Sequence, residues 1–391
     1  MKAARIAVVG AGAAGCFAAI QLGRLLPGAD VRVHEAAALP MAKLARTGGG
    51  RCNLGNTFAD VRSLKEVYPR GDRLMERLFH SFGPEQAADW FRGEGIALRQ
   101  QEDGRIFPAS DDAMQVVRKF RSLMDGLGVK ILTHSKINNI AELDADRILV
   151  TTGGGALALL DGTGLETIPP VPSLFTFKIQ DPSLRAMAGN SVGKARLKLA
   201  GTPFTSEGPL LLTDWGVSGP AVLKLSSYAA RALKESGYKG QLSVCWTAGS
   251  EEEARGFITR TAAAHPKKMV SGIPPEGISS RIWEHLLSRS GIRPDCRWAE
   301  LGSRGAARLA STMTSDLYEI DGRARFKEEF VTCGGVALKE INPSTMECRK
   351  RPGLFLAGEV LDIDAVTGGF NLQAAWSTAW TAAHGIAGSL V

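Results

Sequence analysis

Glycine spacing near the start of the chain supplies the first sign of chemistry. Gly10-x-Gly12-x-x-Gly15 directly follows the apolar run Arg5–Val9. In such a motif the first glycine permits a tight turn, the second lets a pyrophosphate approach the backbone, and the third lets helix and strand pack closely. Phosphate would rest on the free N–H groups at the helix start. Glu35 stands 20 residues beyond Gly15, where its carboxylate can accept from a ribose hydroxyl. These residue types at this spacing predict an adenine-dinucleotide site.

The far end of the chain offers a second set. Leu354-Phe355-Leu356-Ala357 reads as a strand ending in Gly358-Glu359, a position where a carboxylate can hold ribityl hydroxyls. Thr367-Gly368-Gly369-Phe370-Asn371 then starts a helix. A helix N-terminus facing the flavin N1/C2 carbonyl favours the reduced, anionic ring. A simple NAD dehydrogenase has no need of this second contact, so the pair favours FAD over NAD. A third feature is Thr47-Gly48-Gly49-Gly50-Arg51-Cys52-Asn53. Consecutive glycines are costly to order, so such a loop wraps something or stays mobile. Arg51 suits a phosphate or the flavin pyrimidine edge, and Asn53 suits a ring carbonyl. Cys52 is either a redox thiol or a small packed residue.

These residues need elements to position them. Arg5–Val9 reads as a strand, the run to Leu26 as a helix stopped by Pro27-Gly28, and Val31–Glu35 as a second strand, making one βαβ unit. Residues 41–57 form a glycine-rich loop. Pro84–Phe91 and Ala113–Leu127 read as amphipathic helices. Val129–Leu132 and Ile148–Thr152 read as strands of the same α/β domain. After Pro169-Pro170-Val171-Pro172 the texture becomes β-rich, with strands at Leu174–Ile179, Ala195–Leu199 and Leu242–Trp246. Residues 250–310 are charged and helix-like. Gly353–Ala357 returns as a buried strand and Asn371–Ile386 as a closing helix.

Composition narrows the class of protein. The 391 residues are 44% hydrophobic and 22% charged, which excludes intrinsic disorder and a disulfide-stapled miniprotein. Basic residues exceed acids by seven, yet the single uninterrupted run of three is Arg349-Lys350-Arg351. Nucleic-acid binding needs a coherent basic face, so none is expected. The six cysteines form no C-x-x-C pair, which argues against a structural zinc and for free thiols in a reducing, cytoplasmic setting. No apolar run reaches membrane-spanning length. No metal site is expected, and no histidine sits in a catalytic motif.

The sequence also resembles a family of bacterial FAD-dependent oxidoreductases, the 3-dehydro-bile-acid-reductase-like or aminoacetone-oxidase-like flavoproteins. The resemblance rests on GAGAAG (10–15), TGGGRCNLGN (47–56), DGRIFPAS (103–110), TDWGVSGPAVLKLS (213–226) and the long block 332–376. It departs from the family pattern at Met41-Ala42-Lys43, in the short stretch Asn138–Thr151, and across Gly155–Pro169.

The resemblance implies a non-covalent FAD in a glutathione-reductase-like Rossmann domain of α/β class, with an inserted β-barrel-like domain and a small helical domain. The expected boundaries are 1–168 and 334–391 for the FAD domain, 169–248 and 311–333 for the β-rich domain, and 249–310 for the helical one. Cofactor contacts are expected at Gly10, Gly12, Ala13, Ala14, Gly15, Glu35, Ala36, Lys43, Gly50, Arg51, Cys52, Asn53, Thr152, Gly153, Gly358, Glu359, Gly368, Gly369, Phe370 and Asn371; no catalytic acid or base is assigned. The expected activity is hydride transfer through flavin N5, reducing a small, unsaturated ketone-like substrate with NAD(P)H. The alternatives are a flavin-dependent amine or amino-ketone oxidase using oxygen, and a flavin-binding protein without turnover. A small-molecule substrate is expected and a membrane partner is not.

Overall fold

A computed structural model describes residues 3–324 and 331–390 of the chain. The chain divides into two compact units, one from residues 1–171 and 331–391, the other from 172–330. Part of the expected 311–333 segment, residues 325–330, lies outside the described residues.

The first unit is built on a five-stranded parallel sheet. In spatial order its strands are Leu354–Leu356, Arg147–Val150, Arg5–Val9 (β1), Asp30–His34 (β2) and Lys130–Leu132. Parallel strands buried on both faces read as apolar runs, and Ile6–Val9 are all buried. The register pairs Val9 with both His34 and Val150. The turns that leave the strands at Gly10, Glu35, Thr151 and Ala357 therefore emerge at one edge. In open α/β sheets, ligands bind outside the carboxyl ends of the strands.

Helix α1 (Ala13–Leu25) follows β1. Residues Ala14 to Gly23 are buried without exception, so this helix is covered all round. Its small side chains let the sheet approach on one side and the C-terminal helix Phe370–Gly388 on another. Phe17 of α1 meets Trp376 of that helix with ring centroids 5.4 Å apart.

The second unit holds a closed six-stranded barrel, formed by Phe177–Ile179, Ser191–Leu199, Thr205–Thr213, Gly216–Ser218, Lys239–Cys245 and Asp316–Arg323. Helices Glu251–Ala264, Ser280–Arg289 and Gly302–Thr314 accompany it. Trp246, Trp283 and Trp298 lie in its core. The α/β class, the barrel and the helical segment are those expected.

Differences are local. The strand expected from Leu174 begins at Phe177, because Leu174 turns into the left-handed region (φ 60°). The strand expected to reach Thr152 stops at Val150. There Thr151 turns inward, and its Oγ1 donates to the Gly10 carbonyl at 2.8 Å.

Candidate functional site

The glycine motif is in place between β1 and α1, and its geometry explains two of its glycines. Gly10 has φ +103°, and a Cβ there would lie 2.7 Å from the Thr151 carbonyl oxygen. A Cβ on Gly15 would lie 1.9 Å from the Gly10 oxygen. Gly12 differs: nothing lies within 4 Å of its would-be Cβ. Ala13 and Ala14 form the first turn of α1, which has no side-chain cap and no acid. An uncapped helix start carries orphan N–H donors and a partial positive charge, the combination that attracts phosphate.

Glu35 sits just past β2. Its Oε2 accepts from Ala11 N at 2.9 Å and its Oε1 from Ala37 N at 2.8 Å. The carboxylate is thereby oriented while keeping lone pairs for ribose hydroxyls. Ala36 lies exposed beside it.

Glu359 forms a second centre. Its Oε1 accepts from Thr332 N at 2.6 Å, and its Oε2 pairs with Lys43 Nζ at 2.9 Å. Gly153 lies close by, with a would-be Cβ 3.6 Å from Glu359 Oε2. Gly358 packs on α1, where a Cβ would meet the Ala14 Cβ at 3.0 Å. Residues from five separate stretches thus converge at the strand ends. Thr152 Oγ1 is buried there with no hydrogen-bond partner. Such a group is rare in native proteins and calls for an unseen partner. An orphan hydroxyl, an open face at Gly12 and an uncapped helix start are what a bound dinucleotide would satisfy, so the residues present fit FAD.

The third centre joins the glycine-rich loop to the C-terminal helix. Gly48, Gly49 and Gly50 are all left-handed, with φ of 60°, 70° and 86°. Three such residues in a row suit glycine alone. Arg51 places its guanidinium 4.5 Å over the Phe107 ring, and its Nε donates to the Gly48 carbonyl. Gly369 (φ +90°) precedes the helix, again without a side-chain cap or a first-turn acid.

Three of the expected contact residues have side chains engaged within the protein. Asn53, with its amide oriented to satisfy both ends, donates to the Gly55 carbonyl and accepts from Gly369 N, each at 3.0 Å. Its amide therefore ties the loop to the helix start instead of reaching for a ring carbonyl. Asn371 likewise closes on Ala365, accepting from its N at 2.8 Å and donating to its O at 2.9 Å. Cys52 is fully buried, and burial pushes its thiol up to about 12, partly opposed by a hydrogen bond with Thr47. A thiol so buried and so protonated is a poor nucleophile, which favours the packed residue over the redox thiol.

Several residues of this centre have no local sequence signal. Tyr68 Oη donates to the Phe370 carbonyl at 2.7 Å. Asn56 Nδ2 donates to the Gly368 carbonyl at 3.1 Å. Arg70 pairs with the fully buried side chain of Asp364 through Nε to Oδ1 at 2.6 Å and through a second contact. The stretch from Val67 to Gly71 thus braces the turn from Ile363 to Phe370. Among the described residues there is no cluster able to hold a metal ion. No helix there is long and apolar enough to cross a membrane.

Strand ends left open for a dinucleotide, beside residues brought back from the C-terminus, agree with the class of the protein: it is an FAD-dependent oxidoreductase with a Rossmann-type cofactor domain. More narrowly, it belongs to the family described as HI0933-like protein Rossmann domain, which matches residues 4–385. Among curated relatives, the ribosomal RNA dihydrouridine synthase of Escherichia coli (strain K12) is 27% identical, covering 96% of each chain. The 3-dehydro-bile acid delta(4,6)-reductase of Clostridium scindens is 29% identical, covering 98% of this chain and 99% of its own. Among solved structures, a 3-ketosteroid delta1-dehydrogenase from Sterolibacterium denitrificans aligns over 98% of this chain and 99% of its own, with TM-score 0.47 and 10% identity.

Proposed function

We propose that this enzyme reduces a ring carbon–carbon double bond conjugated to a carbonyl, with NAD(P)H as donor. Overall, the donor and a proton are consumed, and NAD(P)+ and the saturated carbonyl compound are formed. The observation that carries this reading is chemical agreement between two relatives of similar identity. One is named for making dihydrouridine in ribosomal RNA, the other for reducing a 3-dehydro-bile acid. Uracil and a 3-oxo-diene share the same reactive unit, a double bond polarised by a conjugated carbonyl. The sequence offers no coherent basic face, whereas one of the two names contains RNA, so a uridine-bearing RNA and a free unsaturated ketone are both substrates to test.

Bound FAD supplies hydride chemistry at its N5. This chain's residues do the holding. The α1 start, with Gly12, Ala13 and Ala14, takes the pyrophosphate. Glu35 takes the ribose, and Glu359, Lys43, Gly153 and Thr152 take the ribityl side. The start of the helix at Gly369, with the backbone of the loop at Gly50 and Arg51, would take the ring side, and Asn53 would hold that loop to the helix start. No second dinucleotide motif is present in the sequence, so a nicotinamide donor would have to reach the flavin site directly.

The test is anaerobic. NADPH or NADH should bleach the visible flavin band, and an α,β-unsaturated ketone or a uridine-bearing RNA should restore it with formation of the saturated product. No bleaching, with peroxide formed from amines in air, would establish the oxidase reading instead.

A further inference from the structure

The cofactor residues leave one large cavity of the first unit without a role. It measures about 720 Å³ and is lined from the 57–65 segment and from helices Asp72–Phe82 and Pro84–Gly93. Phe58 and Phe79 give it an aromatic wall, with centroids 5.2 Å apart, edge to face. Phe58 is unusual in its backbone, with φ +60°. A bulky residue seldom adopts that region, and where it does the surroundings hold it there, often at a functional site.

Here the holder is Asn56. Its Oδ1 accepts from Phe58 N at 2.8 Å, and its Nδ2 donates to the Gly368 carbonyl at 3.1 Å. One buried amide thus joins the cavity wall to the turn that starts the C-terminal helix. The Phe58 ring also meets the Phe370 ring at 4.9 Å. The cavity and the ring-side turn therefore share a wall.

Charge polarises the cavity. Arg62 and Lys65, both exposed on the 57–65 segment, have no ion-pair partner among the described residues. The two helices contribute Asp72, Glu76 and Glu85 instead. A ligand with an anionic end is drawn towards Arg62 and Lys65 and repelled by the acids, so its orientation is set. Its flat, unsaturated part then falls on the aromatic wall.

We infer that this cavity is the substrate site. The conjugated ring packs against Phe58, and an anionic substituent, phosphate or carboxylate, is held by Arg62 and Lys65. The inference rests on the reductase reading for its chemistry, and its test reads binding separately from turnover.

The FAD-loaded protein is dialysed to equilibrium against uridine 5′-monophosphate, a short uridine-bearing RNA, and a 3-oxo-4-ene steroid carboxylate, and the flavin band is recorded. At least one probe should bind and perturb that band. Arg62→Ala with Lys65→Ala should weaken binding about tenfold or more, as expected for losing charge-assisted bonds. Phe58→Ala should also weaken it, and Phe58→Tyr should restore it, with FAD content unchanged throughout. The surface pair keeps the test decisive if Phe58→Ala folds poorly. Tighter binding of the RNA than of the mononucleotide assigns an RNA source, and binding of the steroid alone assigns a free acid. Absence of binding by every probe, or binding indifferent to the Arg62 and Lys65 changes, overturns the inference. Binding without any NADPH-driven product would sink the reductase reading and leave the site standing.

Discussion

Replacing Glu359 by alanine separates a structural role from a cofactor role. In the cofactor-free protein the carboxylate does two things: it accepts from Thr332 N at 2.6 Å and pairs with Lys43 at 2.9 Å. The Lys43 side chain is 60% exposed, so its ion pair contributes less than about 1 kcal/mol. Losing the acceptor for a partly buried backbone N–H costs about 1–3 kcal/mol. Glu359→Ala should therefore destabilise the first unit by about 1–3 kcal/mol, lowering Tm by about 2–4 °C per kcal/mol for a unit of that size. Glu359→Gln keeps an oxygen for Thr332 N and should recover most of this loss. FAD retention should behave differently. A charge-assisted bond to a ribityl hydroxyl is worth about 1.5–3 kcal/mol, so both variants should hold FAD roughly tenfold or more weakly. Thermal unfolding of the apo-protein gives the first quantity, and fluorescence titration with FAD gives the second. Wild-type FAD affinity in Glu359→Ala would remove this residue from the cofactor site, and equal Tm losses in the two variants would refute the hydrogen-bond argument.

Gly15→Ala and Gly12→Ala should part company. Alanine in a helix normally gains up to about 1 kcal/mol over glycine, but at Gly15 the methyl would lie 1.9 Å from the Gly10 oxygen. Overpacking of that kind costs about 1–3 kcal/mol, and a stability gain in denaturant titration would contradict it. Gly12→Ala meets no protein atom within 4 Å, so it should leave stability nearly unchanged and lower FAD affinity; unaltered affinity would deny the phosphate assignment. Burial pushes the Cys52 and Cys348 thiols up to about 12, so neither should be alkylated in the native protein at pH 8, and rapid labelling of Cys52 would argue for an open loop. Burial also holds the His34 and His285 imidazoles below their ordinary value, with Asp316 partly opposing it at His285. The unfolded chain then takes up these protons first, so stability is full above about pH 6.5 and falls as pH drops through that value; a rise in unfolding free energy between pH 7 and pH 5 would refute this.

The local parts of the site were legible because their causes are local. Gly10, Gly12 and Gly15 answer to one turn, and Pro27-Gly28 closes α1 within a residue or two of the expected end. The partner sets were not legible. Tyr68 meets Phe370 across 302 positions, and Arg70 meets Asp364 across 294. No spacing rule connects residues so far apart. Asn53 and Asn371 illustrate the converse. Their positions suggested a cofactor contact, but each amide has both ends engaged by backbone, and a side chain's capacity is visible in sequence whereas its occupation is not. Helix Asp72–Phe82, which no motif marks, supplies part of the cavity wall.

The discontinuity of the first unit has a consequence for biosynthesis. Strand Leu354–Leu356 and the helix covering α1 are translated after the whole barrel unit. At about 5–20 residues per second, the N-terminal portion waits roughly 10–30 s for them. Throughout that interval Arg147–Val150 is a bare sheet edge and Phe17 lacks Trp376. The sheet is therefore completed, and the inner helix covered, only once the last forty residues have been made.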